Sequence, residues 1–160
     1  MDIRAERSND EDEVANVIRS AFGQADEAHL VARLRSDNDA IISLVAVAGN
    51  VVVGHVMFSR MTAPFRALGL SPVSVAPEYQ RRGVGAALIK AGLALAKEQG
   101  WDVVFVLGDP AYYERFGFRA ELAQGFISPF AGPHLLALFL KELPRTTNVQ
   151  IDYAPAFAAL

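Results

Sequence analysis

The segment that most restricts the fold is Val73-Ser74-Val75-Ala76-Pro77-Glu78-Tyr79-Gln80-Arg81-Arg82-Gly83-Val84-Gly85-Ala86-Ala87-Leu88: a strand pattern, a loop, then two glycines opening a helix. Glycine lets a ligand approach the backbone closely, and the first N–H groups of a helix have no partner inside it. Together they make an anion site. The helix dipole adds only about 0.3 to 1 kcal/mol to an exposed anion, so several N–H hydrogen bonds and packing of the rest of the ligand must supply most of the affinity. A nucleotide P-loop would need GxxxxGK[ST], and neither glycine is followed by lysine. A dinucleotide fold is the harder rival, because Asp109 follows the next strand where a ribose ligand is expected. Against it, the third glycine position is Leu88 and the strand stops at Val75, well short of the helix.

The flanking sequence predicts a mixed α/β (α+β) domain. Asp2 to Glu6 alternates as a short strand. Ser8-Asn9-Asp10 and the acids after them start a helix reaching Phe22, with negative charge at the end that favours it. A second helix is expected over Glu27–Arg35. Ile41–Thr62 is rich in β-branched residues and broken by Gly49-Asn50, a hairpin signature. Ala67–Val75 is a further strand. Gly83–Gln99 carries an apolar helical stripe through Val84, Leu88, Ala91 and Leu95 and ends at Gly100. VVFVL, residues 103–107, reads as a strand buried on both faces. A short helix follows over Ala111–Phe116. Phe118 and His134–Leu140 suggest two more strands around a loop, GFISPFAGP. Residues 1–143 form the expected domain and 144–160 a tail, whose apolar end suits either the core or a partner subunit in a homodimer.

Composition excludes several chemistries. At 160 residues there is room for one core, and 52% hydrophobic residues suffice to fill it. With no cysteine, disulfides, Cys-ligated zinc and a thiol acyl-enzyme are ruled out, and no metal is expected. Fifteen Lys+Arg against eighteen Asp+Glu, a net charge of −3, give no reason to expect nucleic acid as a partner. The acidic start is unlike a signal peptide, and no apolar run is long enough for a membrane span. A cytoplasmic protein without a membrane partner is the expectation.

Gln80-Arg81-Arg82-Gly83-Val84-Gly85-Ala86 resembles the Q/R-x-x-G-x-G/A motif of the GNAT superfamily of acetyl-CoA-dependent N-acetyltransferases. Gly108-Asp109-Pro110-Ala111-Tyr112-Tyr113-Glu114-Arg115-Phe116-Gly117-Phe118 is similar to the Y-x-x-x-G-F segment of that family, and more narrowly of its YhbS-type bacterial branch. The resemblance covers residues 2 to about 142. It implies a GNAT acyl-CoA N-acyltransferase fold, a mostly antiparallel central sheet with a splayed parallel strand pair and flanking helices.

The resemblance implies acetyl-CoA as cosubstrate. The pyrophosphate would rest on backbone from Arg81 through Arg82, Gly83, Val84 and Gly85 to Ala86, and the pantetheine arm would pair with the backbone of Val73, Ser74 and Val75 like an added strand. Tyr113 matches the family tyrosine that meets the leaving thiolate, while Tyr112 falls on another face, where packing is expected. The acceptor is a primary amine of a small molecule, peptide or protein. Its deprotonation has no obvious carboxylate, because ALGLSPVSV contains none. His55, Ser74, Glu27 and His134 stay open as bases, with a water route preferred, and His29, Phe126, Phe130 and His134 border the acceptor side. Loss of turnover would leave an acyl-CoA-binding or sensor module.

Overall fold

The computed structural model describes residues 1–143 and 148–160. The chain runs β1 (Asp2–Ala5), α1 (Glu11–Phe22), α2 (Asp26–Ser36), β2 (Ala40–Ala48), β3 (Val51–Arg60), β4 (Ala67–Val75), α3 (Val84–Glu98) and β5 (Val103–Leu107). The short helix α4 (Pro110–Tyr113), β6 (Phe126–Ile127), β7 (Leu135–Phe139) and β8 (Val149–Gln150) complete it. Six strands form one sheet in the order β1-β2-β3-β4-β5-β7, while β6 and β8 pair apart from it. Within the large sheet only β4 and β5 are parallel. One parallel pair is incompatible with the doubly wound sheet of a dinucleotide fold.

The β2–β3 hairpin turns at Gly49-Asn50, where both residues adopt positive φ, 55° and 67°, as a tight two-residue turn requires. Across the sheet, Ile42, Leu44, Val56, Phe58, Leu68 and Leu70 pack with α3, whereas Val45 and Met57 pack with α1 and α2. Each such side chain, once fully buried, stabilises the fold by about 1.5–3 kcal/mol. Two glycines bring α3 down onto β3. A Cβ at Gly92 would lie 2.2 Å from the Phe58 ring, and one at Gly54 would lie 3.0 Å from Leu88 and Val84. The glycine loop is thereby held against the sheet.

Two expectations fail beyond α4. Phe118 is fully buried but forms no strand; its neighbour Arg119 makes a single bridge to Ala137. GFISPFAGP is not wholly loop, because Phe126–Ile127 forms β6 and pairs in parallel with Val149–Gln150. That partner lies too far along the chain for a local pattern to reveal. The expected boundary after residue 143 adjoins 144–147, which lie outside the described residues. Beyond them, Ile151 is buried beside β5 and β7, and Ala154 and Ala156 are buried against α1 and α2.

Candidate active site

The strands β4 and β5 pair only from Ala67/Val103 to Gly69/Phe105, yet β4 continues to Val75 and β5 to Leu107. Past Gly69 they part, leaving a wedge. On the other side β4 stays paired with β3, with an irregularity in register between Val56 and Phe58 that leaves Ser71 and Pro72 without paired partners on β3. Ala76 N–H donates to Val53 O at 2.8 Å. Because successive residues alternate sides, Ser74 also turns its backbone to β3, while Val73 and Val75 turn theirs to the wedge. The Val75 carbonyl accepts from Gln80 Nε2 at 2.9 Å.

At the Val75 end lies a cleft of about 400 Å3, lined by Val75, Tyr79, Gln80, Arg81, Gly83, Val84, Gly85, Ala86, Tyr112 and Arg115. The first helical hydrogen bond of α3 runs from Ala87 N–H to Gly83 O at 3.0 Å, so the N–H groups of Val84, Gly85 and Ala86 have no partner within the helix. Gly83 is left-handed at φ 81°, with open space where a Cβ would be, and Arg81 is left-handed at φ 63°. Two arginines and no acid line the cleft, so charge and free N–H groups both favour an anion.

The cleft gathers six of the nine residues expected to bind cofactor: Val75, Arg81, Gly83, Val84, Gly85 and Ala86. Val73 lies under Gly85, with its Cγ2 4.0 Å from where a Cβ would be. Arg82 stands over the Tyr79 ring at 5.4 Å. The Ser74 hydroxyl is buried on the other face, without a hydrogen-bond partner among the described residues.

Tyr112 faces differently from Tyr113 and packs against the core, as expected, but it also lines the cleft. Arg115 stacks on its ring at 4.3 Å and donates from Nε to its carbonyl at 2.8 Å, and its hydroxyl lies 3.6 Å from the Cβ position of Gly85. Tyr79, Gln80 and Arg115 were likewise not anticipated. The nearest sequence signal was the Tyr112-x-x-Arg115 spacing, which places the two on one helical face. Asp109, the rival ribose ligand, instead caps α4 by accepting from Ala111 N–H at 3.0 Å.

Tyr113 packs over the end of β5: a Cβ at Gly108 would lie 2.3 Å from its ring. The rings of Tyr112 and Phe118 lie edge-on at 5.0 and 5.9 Å. Burial, with a smaller contribution from Tyr112, pushes the Tyr113 hydroxyl up to about 12. It therefore stays neutral at ordinary pH. Its oxygen makes no hydrogen bond among the described residues and is not among the buried ones.

The four open bases separate by geometry. His55 is fully buried, and burial, with Arg35 adding to it, depresses its pKa to about 3. Ser43 Oγ donates to Glu6 Oε1 at 2.6 Å and lies 2.8 Å from His55 Nε2, so His55 carries its proton there. Glu6 is also paired with Arg35. The chain of polar groups ties β1, β2, β3 and α2 together. Glu27 accepts from Gln24 on the surface. His134 is exposed, with Nδ1 3.3 Å from the Gly108 carbonyl, which leaves Nε2 as its free lone pair. No Asp or Glu lines the cleft beside Tyr112.

An anion cleft at a helix start beside a strand splayed from its parallel neighbour defines an acyl-CoA transferase fold. Residues 2–120 match the acetyltransferase (GNAT) domain. The chain is 37% identical over 134 residues to the uncharacterized N-acetyltransferase YjhQ of Escherichia coli K12, covering 78% of this chain and 74% of that protein. It is 36% identical over 123 residues to the uncharacterized N-acetyltransferase YhbS of the same strain, covering 74% of each. The crystal structure of Escherichia coli YhbS in complex with CoA superposes with a TM-score of 0.90 at 29% identity, over 98% of this chain and 91% of that one. A GNAT acetyltransferase from Brucella melitensis in complex with acetyl-CoA gives 0.84 at 32% identity, over 98% and 97%. The chain belongs to the GNAT family of N-acetyltransferases, of the YhbS type.

Proposed function

We propose that this N-acetyltransferase passes the acetyl group of acetyl-CoA directly to a primary amine of a small molecule or peptide, with Tyr113 as the acid that meets the leaving thiolate. The observation carrying this is the wedge: β4 loses its neighbour after Gly69 and turns the backbone of Val73 and Val75 toward the gap, with the anion cleft at its far end. The N–H groups of Val84, Gly85 and Ala86 hold the pyrophosphate, the Gly83 turn presents them, and Arg81 and Arg115 supply positive charge. Arg82 is the outer cation. The pantetheine amides pair with Val73 and Val75 as an added strand, and Ser74 between them fastens β4 to β3.

The amine nitrogen attacks the thioester carbonyl carbon. A C–N bond forms, the C–S bond breaks, and the sulfur takes the Tyr113 proton. The proton lost by the amine passes to water, and Tyr113 is reprotonated from solvent. A water route is favoured because β4, which borders the wedge, carries no carboxylate and His55 is sealed in the core. Holding amine and thioester in register can supply about 7–11 kcal/mol of the barrier, so a phenol and water suffice. With no cysteine in the chain, direct transfer needs no thiol intermediate.

Two measurements test this reading. Saturating acetyl-CoA is expected to raise the melting temperature through linkage, and thiol release is expected with at least one member of an amine panel. No thermal shift would overturn it. A shift without thiol release across the panel would favour the acyl-CoA sensor, the reading that the missing carboxylate keeps open.

A further inference from the structure

A second cavity, of about 300 Å3, reaches the middle of β4, before the end that carries the anion cleft. Its lining includes Leu70 and Ser71 of β4 and Leu107 of β5, all beyond the last paired residues, Gly69 and Phe105. The cavity therefore opens into the wedge itself. Its walls come from segments far apart in sequence: Phe130 from the loop before β7, and Tyr153 and Phe157 from the C-terminal region. Gly69 admits Tyr153, since a Cβ there would lie 2.6 Å from the ring. Tyr153 meets Phe130 edge-on at 5.5 Å and Phe157 at 5.2 Å. The three rings brace one another into a single apolar wall.

Among the described residues, no Asp, Glu, Lys, Arg or His side chain lines this cavity. A polyamine or aminoglycoside would bring several charges to it, losing hydration with no acidic side chain in compensation; the one carboxylate near the lining is that of the exposed terminal residue, Leu160. An apolar body would instead displace water from Leu107 and Phe130, which are 42% and 41% exposed. The polar atoms at hand are the Ser71 hydroxyl and the buried Tyr153 hydroxyl, which has no partner among the described residues. The volume is at the lower limit for small-molecule sites, enough for an aromatic ring system and a short alkyl chain.

We infer that the acceptor is a primary amine on an uncharged apolar body of arylalkyl size, its body against Phe130, Tyr153 and Phe157 and its nitrogen in the wedge. This rests on the transferase reading, because the cavity takes the acceptor only if acetyl-CoA delivers its thioester there. The test compares phenethylamine and tryptamine with spermidine, kanamycin and a lysine peptide, following thiol release and the melting temperature of the CoA-bound protein. The arylalkylamines are expected to lead in kcat/KM by about tenfold or more, and phenethylamine to raise the melting temperature of the CoA-bound form. Phe130→Asp is expected to raise the KM for phenethylamine about tenfold and lower that for spermidine, with the acetyl-CoA shift retained. Phe130→Leu, which keeps the wall apolar, is expected to keep the ranking and serves if the Asp variant does not fold. Spermidine, kanamycin or the peptide leading the panel overturns the inference, as does an unaltered ranking in folded Phe130→Asp or no phenethylamine shift on the CoA-bound protein. These results leave the transferase reading standing if acetyl-CoA still stabilises the protein and some amine releases thiol. Absence of both signals overturns the transferase reading itself.

Discussion

The middle of β4 and its Val75 end are built on different principles. The anion cleft at Val75 is mostly one continuous stretch, residues 79–86, and it offers backbone N–H groups and a left-handed glycine. The cavity at Leu70 and Ser71 gathers side chains from residues 70 to 160 and offers apolar surface. Backbone recognition suits a ligand that never changes, because side chains can vary without moving the amides. Side-chain walls suit a ligand that differs between relatives, because each substitution reshapes them. One strand thus carries a fixed half-site and an adjustable one, and variants should affect them separately.

The largest effect is expected where the halves meet. Tyr113→Phe removes the proposed acid and keeps the ring over Gly108, so kcat should fall about 100-fold with the Kd for acetyl-CoA unchanged. Single-turnover kinetics and equilibrium binding check this, and an unchanged kcat would reduce Tyr113 to packing. Next is Gly92→Ala, whose methyl would sit 2.2 Å from the buried Phe58 ring. Overpacking of this kind costs about 1–3 kcal/mol, read as about 2–4 °C of melting temperature per kcal/mol in a chain of this size. Since α3 carries the amides, acetyl-CoA affinity should fall too, while the amine KM at saturating acetyl-CoA stays the same. Equal losses on both sides would mean that the half-sites are not separable.

Gly83→Ala isolates the backbone contribution. Nothing lies within 4 Å of the new methyl, so the cost comes from φ 81° alone, about 1–2 kcal/mol. If the turn relaxes to escape that cost, the amides swing from the anion and acetyl-CoA binding weakens by about tenfold. Titration calorimetry measures it, and unaltered affinity would show that the left-handed turn is dispensable for binding.

The same contrast explains what the sequence disclosed. The β4–loop–α3 unit was legible because its chemistry is local: glycine positions, helix start and strand end all lie within Val73–Leu88. The hairpin at Gly49-Asn50 was legible for the same reason. The pairing of β6 with β8 depends on partners more than twenty residues apart, and the Tyr153–Gly69 contact spans about half of the chain. No periodicity encodes such meetings. That Tyr112 also lines the cleft was hidden for the same reason, since it depends on the approach of its hydroxyl to Gly85 of α3. His55 stood open as a base until its burial and its bond to Ser43 were visible.

The smallest expected effect lies on the adjustable side. Asp10 is 6% exposed and accepts from Arg4 at 2.7 and 3.0 Å and from the Arg7 N–H at 2.7 Å, tying β1 to the start of α1. These bonds, led by Arg4, hold its carboxyl down to about 2 from 3.8. A depressed folded-state pKa gives stability that is present above the unfolded value and is lost as pH falls through the folded one. The wild-type protein should therefore lose this part of its stability between about pH 4 and pH 2, and Asp10→Asn should flatten that part of the acid slope. Because Arg4 is 29% exposed, solvent screening keeps the loss at neutral pH to about 1 kcal/mol. Since α1 packs on α2, and α2 on the C-terminal turn that carries Phe157, looser seating of α1 should raise the amine KM slightly while acetyl-CoA affinity holds. A matching fall in acetyl-CoA affinity would show that the strain crosses β4 and that the sheet couples the two half-sites.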